Sequence, residues 1–102
     1  MNALENNKLI TEFMEADFEN TLLVNGKCRY SESWDWLMPV VEKIETLGFL
    51  IHIDTIDGVK VFNPKTKDMI FVTFTAREYT SKIRETYKAV VEFIKWYNEN
   101  KQ

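Results

Sequence analysis

The run Ser33–Gly48, SWDWLMPVVEKIETLG, constrains the fold more than any other part of the chain. Its apolar residues recur every three or four positions, which predicts an amphipathic helix with one core-facing side. That side consists of Leu37, Val40, Val41, Ile44 and Leu47. Gly48 follows as a helix stop signal. Such a helix cannot stand alone, so the rest of the chain has to supply a surface that covers it.

The start of this helix has two interpretations. Ser31 or Ser33 could cap it by accepting a bond from an early backbone N–H. Pro39 then lies beyond the first turn, where it removes a hydrogen bond and kinks the helix. If Asp35 is the cap instead, Pro39 falls among the first residues, whose amides have no partner within the helix.

Two further helices are predicted by the same periodicity. The first extends from Leu4 to about Ala16, and its apolar side contains Leu9, Ile10, Phe13 and Met14. The last extends from near Thr80 to about Glu99. Its core side contains Ile83, Tyr87, Val90, Val91, Ile94 and Tyr97.

Between the second and last helices, the pattern predicts three strands. The first begins at Phe49, with Phe49, Ile51 and Ile53 on one face and Leu50, His52 and Asp54 on the other. Asp57-Gly58 predicts a tight reversal into the second strand, Val59–Phe62. Residues 63–67 predict a longer turn, which leads into the third strand over residues 68–75. Together these strands predict an antiparallel meander.

The dipeptide Asn25-Gly26 lies between two short β-prone runs, TLLV and KCRY. Asn-Gly is typical of a two-residue type I′ hairpin, since both residues must adopt positive φ. The segment is therefore either a short hairpin or an ordinary loop.

The sequence of the whole chain predicts one α+β domain over residues 1–102, in the order α-(ββ)-α-βββ-α, with three helices packed on a small, mostly antiparallel sheet.

Composition narrows the functional classes. The net charge is −3, which gives no positive field to attract nucleic acid or an anionic membrane. Cys28 is the single cysteine, which excludes an intramolecular disulfide and fits a reducing compartment. The N-terminus lacks the pattern of a signal peptide, and no apolar run is long enough for a membrane span. A cytoplasmic location is expected. We expect Cys28 to be a small buried residue.

Three sequence blocks occur together in a recurrent pattern. They are NKLI-x-EFM at Asn7–Met14, WDWLMPVVEKIE at Trp34–Glu45 and VVEFIKWYNENK at Val90–Lys101. In these blocks the chain resembles small, uncharacterised proteins of bacterial phages and prophages, a family described as an α/β/α sandwich domain. The resemblance implies a phage-type accessory protein and assigns no activity to any residue.

No familiar catalytic or metal motif is present. His52 is the single histidine, and neither a G-x-S-x-G elbow nor paired CxxC or HExxH spacing occurs. Asp54 and Asp57 lie near a turn without the remaining ligands of a calcium loop. We therefore expect no catalytic, cofactor-binding or metal-binding residue. A distant alternative is an enzyme with an unadvertised carboxylate site around Asp54 and His52.

The last helix carries a basic stripe if it extends back to Arg77. At about 100° per residue, Arg77, Arg84, Lys88 and Lys95 fall on one narrow line that could follow a phosphate backbone. Glu85 and Glu92 stand three positions before Lys88 and Lys95, the spacing of ion pairs that stabilise helices. That spacing favours an ordinary solvated face.

The same helix has an apolar arc of about 220°, wider than one contact with a sheet requires. Either the first or the second helix covers the extra flank, or Phe93, Trp96 and Trp36 form an exposed patch for a partner or a second copy of the chain. The expected function is a non-catalytic protein-interaction module with an unidentified partner. The alternative is a nucleic-acid-associated phage accessory protein that uses the basic stripe.

Overall fold

The computed structural model describes residues 3–54, 58–72 and 82–100. It contains the helices α1 (Ala3–Phe13), α2 (Phe18–Asn25), α3 (Trp34–Thr46) and α4 (Lys82–Asn100), and the strands β1 (Leu50–Asp54), β2 (Gly58–Phe62) and β3 (Met69–Val72). The strands form one antiparallel sheet in the order β1-β2-β3. This confirms the α+β class and the meander. The predicted reversal at Asp57, residues 73–75 of the last strand and the helix start near Thr80 lie outside the described residues.

The helices cover one face of the sheet. Alternation along β2 directs Val59 and Val61 inward, where both are fully buried, and α4 packs against β1, β2 and β3 while α3 packs against β1. Leu50, His52 and Met69 belong to the opposite face and are exposed. The described elements thus form a helical layer on a sheet with one solvated face, whereas the resemblance implies helices on both faces.

Helix α1 ends before the predicted Ala16 because the chain turns sharply at Glu15, whose φ is +61°. The amide of Ala16 donates to the carbonyl of Thr11, and the amide of Glu15 donates to that of Glu12, both at 3.0 Å. This is the Schellman arrangement that satisfies carbonyls at a helix end. Lys43 of α3 donates from Nζ to the carbonyl of Phe13, so a cation also lies at the negative end of α1.

The two interpretations of Asn25-Gly26, a hairpin or an ordinary loop, are both wrong, because residues 18–25 form helix α2. The described residues therefore contain four helices rather than the three predicted. The Asp17 carboxylate caps α2 by accepting from the amides of Glu19 and Asn20 at 2.9 and 3.2 Å. Gly26 closes it at φ +83°, donating to the carbonyl of Leu22. Caps at both ends stabilise a helix where the residues between them are β-prone.

Gly26→Ala should lower the free energy of unfolding by about 1 kcal/mol, because alanine is strained at positive φ. Space is not the reason, since nothing lies within 4 Å of a Cβ added there. Asn25→Ala is the matched control: a type I′ hairpin needs positive φ at Asn25, whereas in α2 this residue is helical. Urea unfolding should therefore show a small change for Asn25→Ala. Equal losses from both substitutions would favour the hairpin.

Helix α3 resolves the two interpretations of its start. Ser33 is the N-cap by its extended backbone, and the amide of Leu37 donates to its carbonyl at 3.1 Å. The Ser33 side chain makes no capping bond, contrary to the prediction. Pro39 therefore lies inside the helix, beyond the first turn, where it removes the bond to the carbonyl of Asp35.

Among the described helices, none is both long and apolar enough to span a membrane.

Candidate functional site

The predicted aromatic patch of Trp36, Phe93 and Trp96 does not form as an exposed surface. Phe93 is fully buried, so its assignment to the surface is wrong. Trp36 is half-buried with its ring edge-on to Tyr30 at 5.2 Å, and Trp96 is half-buried against Phe49 at 5.7 Å. Among the described ring pairs, none joins Trp36 to Trp96.

Helix α1 covers the wide apolar flank of α4, which was one of the two predicted outcomes. The Phe13 ring lies edge-on to Phe93 at 6.3 Å and to Tyr97 at 6.1 Å. Phe49, just before β1, completes the cover at 5.0 Å from Phe93. The aromatic cluster is therefore the interior of the domain.

The basic stripe is partly described. Arg84 and Lys88 are exposed on α4 and Lys95 is half-buried, while Arg77 lies outside the described residues. Lys88 Nζ is 3.9 Å from a Glu85 oxygen, and Lys95 Nζ is 3.0 Å from a Glu92 oxygen. Both predicted ion pairs are present, so carboxylates of the same helix stand beside two of the stripe's cations.

Glu85 departs from the prediction of a solvated face, because it is only 3 % exposed. It lies in the first turn of α4, where the helix dipole favours a carboxylate. Within the described part of the chain its Oε1 atom has no hydrogen-bond partner, and none of the described clefts contains Glu85. The burial was missed because the helical projection cannot show which other elements pack beside the flank.

The structure describes only some of the residues considered for chemistry. His52 is exposed on the outer face of the sheet, and the side chains of Asp54 and Asp57 lie outside the described part of the chain. Cys28 is buried, as expected. Within the described residues, no three His, Cys, Asp or Glu side chains are grouped to hold a metal ion.

Cys28 belongs to a buried polar cluster with Thr11 and Tyr30. The Thr11 hydroxyl donates to the carbonyl of Asn7 at 2.8 Å, and its oxygen lies 3.2 Å from Tyr30 Oη and 3.9 Å from Cys28 Sγ. A threonine hydroxyl has one proton and two lone pairs. Because the proton is used toward Asn7, the Tyr30 hydroxyl and the Cys28 thiol have to act as donors. The cluster fixes the loop after α2 against α1.

Burial raises the pKa of Tyr30 above its ordinary value near 10, and burial does the same to the pKa of Tyr87. As pH rises, the unfolded chain therefore loses these phenolic protons before the folded one. The folded state then binds more protons, so the free energy of unfolding is unaffected below about pH 9 and falls above about pH 10. Urea unfolding between about pH 7 and 11 measures this slope. Tyr30→Phe should make it shallower, and an unchanged slope would contradict the assignment.

A groove between α1 and the start of α2 is the first of two described clefts that α1 lines. It has a volume of about 800 Å³. Its apolar lining is formed by Leu4, Ala16 and Phe18, and its charged lining by Glu5, Lys8, Glu12, Asp17 and Glu19. Four carboxylates stand against one ammonium group, a net charge of −3. We call this surface the acidic groove.

Helix α2 extends the acidic groove with exposed apolar residues. No residue of α2 is fully buried, and Leu23 and Val24 are 84 % and 74 % exposed. Leu23 follows Glu19 by one helical turn, so it lies on the same side of α2 as the groove. Leu4, on α1, is 60 % exposed. Large apolar side chains at high exposure beside a groove are typical of an interaction surface.

The second cleft lies where the end of α1 meets α3 and α4, with a volume of about 590 Å³. Its lining includes Leu9, Glu12, Phe13, Glu15 and Tyr97. Lys43 fills part of it, with Nζ 4.8 Å from the centre of the Phe13 ring and 3.8 Å from a Glu15 oxygen. The cation of this cleft is therefore engaged within the chain. Glu12 lines both clefts.

The acidic groove was missed because the sequence interpretation gave residues 18–25 to a turn and a strand. One signal could have found it. Asp17 is a good N-cap and Gly26 a good C-terminal stop, and eight residues separate them. Comparisons with protein-family models, with curated proteins and with solved structures gave no match to this chain.

Proposed function

We propose that this chain is a non-catalytic protein-interaction module whose docking surface is the acidic groove. The observation that carries the proposal is helix α2, which is capped at both ends yet exposes Val24 and, on the side of the groove, Leu23. Phe18 and Leu22 of α2 pack against the core without being fully buried, whereas the exposed Leu23 adds an apolar wall to a binding surface.

The proposal keeps the setting that the resemblance implies, an accessory protein of a phage or prophage in the bacterial cytoplasm. The alternative, nucleic-acid association through Arg84, Lys88 and Lys95, has less support. Lys88 and Lys95 each lie beside a carboxylate of α4, which lowers the positive potential that a phosphate backbone would meet.

Site-specific photocrosslinking tests the proposal. Benzoylphenylalanine in place of Leu23 should give a discrete adduct in the cells that make the protein, with the partner identified by mass spectrometry. The same probe in place of Met69, which is 52 % exposed on the sheet, is the matched control. Adducts at position 23 no stronger than those at position 69 would contradict the proposal.

A further inference from the structure

We propose that the occupant of the acidic groove is a basic amphipathic helix of another protein, an inference that rests on the proposed function. Three features of the groove define this partner: its charge, its apolar wall and its shape. Each excludes a different class of ligand.

Charge selects a cationic partner. The groove lining carries a net charge of −3, from four carboxylates and Lys8. The start of α2 could in principle attract an anion to its exposed amides. Asp17 already accepts from the amides of Glu19 and Asn20, so the chain's own carboxylate occupies that position. An acidic ligand would meet repulsion throughout the groove, whereas Lys and Arg side chains would find complementary charges.

The apolar wall requires that the partner also present apolar side chains. Leu4 and Leu23 are exposed, and Phe18 is half-buried in the groove. A uniformly charged segment would leave these apolar side chains in contact with water. A partner with Leu or Phe on one face and Lys or Arg beside it would bury them and keep its cations at the carboxylates.

Shape favours a helix. The groove follows α1 from Leu4 to Glu12 and reaches the start of α2 at Phe18, and a groove along a helix accepts a further helix laid in it. Helix α1 has 11 residues and is therefore about 16 Å long, which matches about three turns of a bound helix. A second copy of this chain is a poorer fit, because its cationic helix α4 has its apolar side buried around Ala89, Val90 and Phe93.

Peptide binding tests this partner class. The probe is a helical peptide of about 14 residues with Leu at i, i+3, i+4 and i+7 and Lys elsewhere. Isothermal titration should show that it binds at least tenfold more tightly than a scrambled peptide of the same composition. A peptide with Glu for every Lys should not bind. Affinity should decrease between low salt and about 0.3 M salt without disappearing.

Charge reversal locates the binding. The double variant Glu12→Lys, Glu19→Lys should bind the basic peptide about tenfold or more weakly, because each attraction becomes a repulsion. The matched control is Glu42→Lys, Glu45→Lys on the exposed side of α3, which changes the net charge equally. It should leave binding within about twofold. Thermal unfolding by circular dichroism confirms that both variants are folded.

The outcomes separate the two proposals. Equal affinity for the scrambled peptide, or equal loss in both double variants, would overturn the amphipathic helix and the groove as its site. If no peptide binds while the probe at position 23 still crosslinks another protein, the partner class is wrong and the interaction module stands. An adduct of two copies of this chain would overturn the basic partner, and the absence of any adduct would overturn the module itself.

Discussion

Replacing Phe93 by alanine should lower the free energy of unfolding by about 3–5 kcal/mol. The side chain is fully buried and its ring lies within 6.3 Å of four other aromatic rings, those of Phe13, Phe49, Trp96 and Tyr97. Alanine would leave a cavity at the junction of α1, α4 and the start of β1. Since natural domains have only about 5–15 kcal/mol in total, this loss would remove a large fraction of the protein's stability.

Urea unfolding followed by tryptophan fluorescence measures this loss. Leu23→Ala is the control for removing an apolar side chain from the surface, and it should change stability by less than about 0.5 kcal/mol. Phe93→Leu keeps most of the volume and gives a measurable, smaller loss if the alanine variant does not fold. A loss below about 1 kcal/mol for Phe93→Ala would show that the aromatic cluster is not packed as described.

Thr11→Val should cost about 1–3 kcal/mol, because it leaves the buried Tyr30 hydroxyl without the acceptor at 3.2 Å. Valine has nearly the same shape, so the change isolates the hydroxyl. Thr86→Val is the matched control. Thr86 is also fully buried in a helix, but its hydroxyl donates to the carbonyl of Lys82 within that helix. Its replacement should cost less than about 1 kcal/mol.

The double variant Thr11→Val, Tyr30→Phe tests the coupling directly. Removing both hydroxyls removes the unpaired donor, so the loss should be smaller than the sum of the two single losses by about 1 kcal/mol. Denaturant unfolding of the parent, both single variants and the double variant completes the cycle. Strict additivity would mean that the two hydroxyls do not interact.

The long, regularly patterned elements were predictable from sequence. The apolar residues Leu37, Val40, Val41 and Ile44 recur at helical spacing and are all buried in α3. The strand Leu50–Asp54 was equally predictable, because its side chains alternate between the two faces and only one face of this sheet is covered by helices. In both cases the local pattern and the tertiary packing favour the same structure.

Helix α2 and the acidic groove were not predictable in the same way. Asn25-Gly26 is suited both to a type I′ turn and to a helix end, because Gly26 adopts positive φ in either. Whether this segment is helical depends on the N-cap Asp17, eight residues before Asn25. A turn prediction from the dipeptide alone does not take that residue into account. Phe93 was misplaced for a related reason: helical projection gives the direction of a side chain but not whether Phe13 and Phe49 lie there to cover it.

The position of α4 has a consequence for how the protein is made. This helix packs against α1, α3 and all three strands, and the Tyr87 hydroxyl donates to Asn7 across 80 positions of sequence. At about 5–20 residues per second, a ribosome needs about 2–8 s to add the stretch between the end of β2 and the end of α4. During that time Val59 and Val61 exist without the helix that buries them. The inner face of the sheet therefore stays uncovered until α4 has been synthesised.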